Sequence, residues 1–121
     1  MTWAFDYDGP VMGAVRMTQR SKFADPRARK YARLKHALRM AANVAGIPDE
    51  LDTRKAYAVE AIFRFKGRAR YDIDNLGKFV LDALWKQDRR VLSLSLDVME
   101  YRESEDTTIT VREIQEGESD G

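Results

Sequence analysis

Across residues 56–84 the apolar residues change their period within one continuous stretch, AYAVEAIFRFKGRARYDIDNLGKFVLDAL. Tyr57, Val59, Ala61, Phe63 and Phe65 recur every second residue, the repeat of a strand with one face buried. Leu76, Phe79, Val80, Ala83 and Leu84 then recur at spacings of three and four, the repeat of a helix with one apolar stripe. A chain patterned in this way passes from strand to helix near Asp72 and Asp74, either of which is placed to cap the helix.

The flanking sequence extends the pattern in both directions. Asp25 is a capping residue, Pro26 suits the first helical position, and Gly46 with Pro48 stops a helix whose apolar positions are Tyr31, Leu34, Leu38, Ala41, Ala42 and Ala45. TWAFDYDG and VMGAVRMTQ read as two short strands about a turn at Asp8, Gly9 and Pro10. Leu92, Leu94, Leu96 and Val98 alternate with Ser93, Ser95, Asp97 and Met99, and TTITVREI follows the turn SEDT, which predicts a C-terminal hairpin. The expected fold is α+β, one domain over residues 1–114, with a mixed β-sheet, two helices and the order ββαβαββ. The acidic, apolar-poor QEGESDG at residues 115–121 is expected to be a disordered tail.

A chain of 121 residues suffices for one modest core, completed if need be by a partner subunit. Cysteine is absent, which excludes disulfides and thiolate zinc sites and makes a reducing compartment, the cytoplasm, the expected location. No apolar run is long enough to span a membrane, and the N-terminal sequence lacks the pattern of a secretory signal. The formal net charge is only +1, yet it is segregated: residues 16–39 hold nine Lys or Arg against Asp25 alone, whereas residues 97–121 hold nine acids against Arg102 and Arg112. A basic middle of this kind suits a polyanionic partner, although a solvated charged surface has the same composition.

Within the period switch the charged residues follow a beat of their own, Arg64, Lys66, Arg68, Arg70, Asp72, Asp74. If the strand continues to Asp74, the two carboxylates share a face with α-carbons about 6.6 Å apart and can reach one hard cation. Magnesium suits such a pair, because it takes oxygen ligands and is commonly shared between one or two carboxylates and a substrate phosphate. Lys78 lies one helical turn beyond Asp74 on the same face, and Asp82 one turn further is placed to orient it. Asp and Asn before a helix are also ordinary caps, so the same residues admit a purely structural role. The cations leading in favour the functional one, since Lys and Arg on an extended face are how proteins track a phosphate backbone. Arg20, Lys22, Arg68 and Arg70 are the expected backbone contacts, with Asn75 near enough to orient a ligand or touch DNA.

DIDNLGKFVLDAL followed by WKQDRRV resembles the RusA family of Holliday junction resolvases, often carried by phages and prophages. The likeness is strongest in DIDN, Lys78 and DAL, and extends more weakly to the DGPV turn, the basic helix and the TITVRE strand. It implies a homodimer that binds four-way junction DNA in recombination and repair and makes paired nicks with magnesium or manganese. On this resemblance Asp72, Asp74 and Asp88 are the metal-binding carboxylates and Lys78 the catalytic lysine. Gln87 stands where the family has the first of two aspartates, after a shortened loop. The rival readings are a DNA-binding module without catalysis, and a nuclease acting on forks or flaps. His36 reads as a surface or packing residue, and Trp3 and Trp85 as core residues.

Overall fold

The computed structural model describes residues 1–15, 25–101 and 105–114, with Tyr101 described through its backbone only. Strand β1 spans Thr2–Tyr7, helix α1 Pro26–Val44, strand β2 Ala56–Lys66, helix α2 Ile73–Leu84, strand β3 Val91–Tyr101 and strand β4 Asp106–Ile114. The α+β class, the single mixed sheet and the two helices are as expected. Among the described residues the order is βαβαββ: residues 11–15 carry no strand, and β1 takes β4 as its antiparallel partner instead of the segment that follows it. The rest of the expected second strand and the acidic tail lie outside the described residues.

The sheet order is β1-β4-β2-β3. The predicted C-terminal hairpin is not formed, because β2 lies between its two strands, parallel to β3 and antiparallel to β4. The helical crossover from β2 through α2 returns the chain in the same direction, so β3 pairs parallel to β2. β4 then fills the other edge of β2, where Thr107, Ile109 and Val111 are buried between two neighbours. β3 is left at the edge with Leu92, Leu94 and Met99 exposed.

Both helices pack on one face of the sheet. Tyr57, Val59, Ala61, Phe63 and Phe65 point into the core with Ile109 and Val111, where they meet Tyr31, Leu34 and Leu38 of α1 and Leu76, Phe79 and Val80 of α2. On the opposite face Glu60 is exposed, Ile62 and Arg64 are half-buried, and no second layer covers them among the described residues. Gly77 allows α2 to lie close on β3, since a Cβ there would come within 2.6 Å of Leu96 Cδ1.

The ends of α1 are those its sequence predicts. The Asp25 carboxylate accepts the Arg27 N–H at 2.8 Å and Pro26 follows it. Gly46, at φ +88°, turns the chain out of the helix, and the Ile47 N–H closes on the Ala42 carbonyl at 3.1 Å. Trp85 is buried after α2, its indole N–H donating to the Pro48 carbonyl at 3.0 Å, which makes it a core residue. No helix among the described residues is long and apolar enough to cross a membrane.

Candidate active site at the junction of β2 and α2

The strand ends at Lys66 and does not continue to Asp74. Gly67, at φ +80°, turns the chain in a conformation that other residues rarely adopt, so the two-residue beat of charges stops there. Three of its members, Arg64, Lys66 and Arg70, meet partners from β4 and the residue before it. Arg64 donates to the Thr108 hydroxyl at 2.8 Å and lies 3.4 Å from Asp106, and the Lys66 N–H donates to Glu105 at 3.2 Å. The Ala69 N–H donates to Glu100 at 2.6 Å. Arg70 pairs with Glu105 at 2.9 Å while its guanidinium lies 5.2 Å from the centre of the Phe65 ring. The Arg70 hydrogen bond holds the Glu105 carboxyl below its ordinary range, and Glu105 in turn holds the Arg70 guanidinium above its own.

Acids near the C-terminus therefore sit against part of the basic ladder. Arg68 is exposed and has no ionic partner among the described residues. Arg20 and Lys22 lie outside the described residues. On α1, Arg29, Lys30 and Arg33 are exposed, while Arg27 is drawn to Asp25 at 3.2 Å. His36 is exposed as well, in keeping with a surface role.

Asp72 is the residue preceding α2, with extended backbone (φ −67°, ψ 142°), and its carbonyl accepts the Leu76 N–H at 3.0 Å. Its carboxylate makes no capping bond. Asp74 lies in the first turn, and both acids are exposed without an ionic partner among the described residues. They are thus brought together by a helix start and not by a shared strand face. Two carboxylates there are favoured by the unpaired N–H groups and dipole of the helix, which offsets part of their mutual repulsion.

Lys78 is exposed one turn along, and Asn75, Lys78 and Asp82 form one wall of an open groove of about 490 Å³ whose other wall is Ala14 and Val15. The Ala14 N–H donates to the Asn75 carbonyl at 3.0 Å, which fixes that second wall against α2. Asp82 does not ion-pair with Lys78; its Oδ2 accepts the Tyr31 hydroxyl at 2.8 Å. Burial first, and then the Asp82 hydrogen bond and charge, push the Tyr31 phenol well above the usual range. This contact joins residues 51 apart in sequence and has no local signal.

Asp88 is not at this end of the molecule. It is half-buried in the loop after α2, and its carbonyl accepts the Val91 N–H at 2.9 Å, where β3 begins beside Tyr57. The 12 residues of α2 span about 18 Å between the two ends. Accordingly, no group of three metal-ligating side chains forms among the described residues. Among the described residues Asp72 and Asp74, exposed and without ionic partners, fit a hard divalent ion that keeps most of its waters, and no third carboxylate stands beside them. Neither the family models nor the curated proteins include a match to this chain.

Proposed function

We propose that this chain is a metal-dependent endodeoxyribonuclease of the RusA kind, which resolves four-way DNA junctions by cutting phosphodiester bonds. The observation that carries this reading is the grouping at the start of α2: Asp72 and Asp74 exposed without ionic partners among the described residues, with Lys78 one turn on and beside Asn75 in an open groove. Among the described residues Asp72 makes no cap bond and Asp74 no ion pair, so both carboxylates are left to a ligand.

Asp72 and Asp74 would hold magnesium or manganese, which supplies charge neutralisation at the scissile phosphate. Lys78 places its ammonium where negative charge builds on the phosphate oxygens in the transition state. Asn75 offers amide hydrogen bonds to the sugar-phosphate backbone from the same wall. Arg68 and the exposed cations of α1 attract the duplex arms and draw them to the groove. Asp88 can join the pair only from a second copy of the chain, which agrees with the twofold dimer that paired cuts require.

The test is a synthetic four-way junction, a fork and a linear duplex incubated with the protein and magnesium. Nicks in two opposed strands of the junction, lost on chelation and in Asp74→Asn, support the proposal. Junction binding without cleavage at any metal concentration supports instead a DNA-binding module. Preference for forks or flaps would retain the chemistry and change the substrate.

A further inference from the structure

We infer that the free edge of β3 is a self-association surface, on which a second copy of this chain pairs its own β3 antiparallel about a twofold axis at Ser95. This names the interface of the dimer in the nuclease reading, but it rests on β3 alone and holds whether or not the protein cuts DNA.

The sheet has two edges among the described residues, and they differ. β1 has six residues, a short edge of the kind that does not propagate. β3 has 11 residues, VLSLSLDVMEY, with no proline, lysine or arginine to guard it. It exposes Leu92 by 59%, Leu94 by 41% and Met99 by 42%, three of the large apolar residues left at the surface.

The register identifies which backbone groups are free. Tyr57 N–H donates to the Arg90 carbonyl at 2.8 Å, so Tyr57 and every second residue after it bond toward β3. Val59, Ala61 and Phe63 stand in register with Leu94, Leu96 and Val98. In a parallel ladder a residue in register with a bonding residue turns its own N–H and C=O the other way. Leu94, Leu96 and Val98 therefore present their backbone donors and acceptors to the open edge.

Antiparallel pairing about Ser95 makes use of all these features. Leu94 and Leu96 exchange backbone bonds with Leu96 and Leu94 of the second copy, and the exposed Leu94 is covered. Ser93 comes opposite Asp97, which keeps the two Asp97 side chains from facing each other, as they would with the axis at Asp97. At the ends, the exposed Arg89 of one copy comes near the exposed Glu100 of the other, so the edge is complementary in charge to itself, while Arg90 is held on the Lys55 carbonyl. The same arrangement carries the Asp88 loop of one copy to the end of the sheet where β2 of the other leads into Asp72 and Asp74.

The absence of cysteine makes the test direct. In this register the two Ser95 residues form a pair without mutual hydrogen bonds, about 4.5 Å apart at Cα and within the span of a disulfide. Ser95→Cys in the full chain should form an intermolecular disulfide on mild oxidation, whereas Ser93→Cys, facing Asp97, should form little. Light scattering should give a dimer for the wild type, and Leu94→Lys should raise its dissociation constant at least tenfold, with an unchanged thermal melt at dilutions where both proteins are monomeric. A wild-type monomer at micromolar concentration, or crosslinking through Ser93→Cys in place of Ser95→Cys, overturns the proposal. A Ser95-linked dimer that never cleaves DNA leaves this interface standing and removes the nuclease reading.

Discussion

Tyr31→Phe removes one oxygen from a contact that joins the two helices, and its effect on stability should depend on pH in a definite direction. The Tyr31 ring is 1% exposed and packs 5.9 Å from Phe79, so phenylalanine keeps the packing. The lost interaction is the 2.8 Å hydrogen bond to Asp82. Asp82 is exposed and water replaces the phenol, so at pH 8 the variant should be less stable by about 1 kcal/mol, short of the penalty for a buried unpaired carboxylate. In the unfolded chain Tyr31 ionises near 10.0, whereas in the folded protein burial and Asp82 hold its proton to higher pH. The folded state then binds more protons than the unfolded one, so this stability is complete below pH 10 and is lost as pH rises above it. At pH 11, one unit above the unfolded value, the wild type should have lost about 1.4 kcal/mol that the variant keeps. The difference between the two proteins should therefore fall to near zero or change sign. Urea unfolding followed by circular dichroism at pH 8 and pH 11 measures it, and the other tyrosines cancel in the comparison. An unchanged difference would refute both the contact and the reasoning from it.

Asp74→Asn and Lys78→Ala should each lower metal-dependent junction cleavage by roughly a hundredfold or more while junction affinity, measured by gel shift, changes little. Gly77→Val should destabilise by about 1–3 kcal/mol through overpacking on Leu96, and Gly77→Ala by less, because the helix regains about 1 kcal/mol of propensity; chemical denaturation ranks the three proteins. Glu105→Gln breaks the pair with Arg70. Since that pair lowers the folded carboxyl from its ordinary 4.5, its contribution is present above that pH and lost as pH falls, so wild type and variant should differ in thermal melting at pH 7 and converge as the medium is acidified through the folded carboxyl's titration.

The elements themselves were legible because each carries a local signal. Alternation in residues 57–65 and the stripe from Leu76 to Leu84 correspond to β2 and α2, and Asp25, Pro26 and Gly46 mark the ends of α1. Pairing was less legible. β3 and β4 read as a hairpin because they are adjacent in sequence, but a parallel crossover through α2 had already committed the inner edge of β3 to β2. For the same reason the first strand found its partner in β4, about a hundred residues away, as Trp3 opposite Val111 illustrates.

The candidate site divides in the same way. Asp72, Asp74, Asn75 and Lys78 lie within seven residues, so the spacing of a helix start suffices to group them. The chain by itself determined that grouping, since turn geometry and helical period act over only a few residues. What engages the neighbouring cations was decided by tertiary structure alone. Glu105 meets Arg70, and Asp106 meets Arg64, because β4 returns beside β2. Tyr31, not Lys78, holds Asp82, because α1 packs on α2. Asp88 is close to the acid pair in sequence and far from it in space, because a helix of 12 residues carries it to the other end of the sheet. Local periodicity specifies elements and their ends, whereas long-range pairing depends on which buried faces are left to cover, and the free edge of β3 is the last of these.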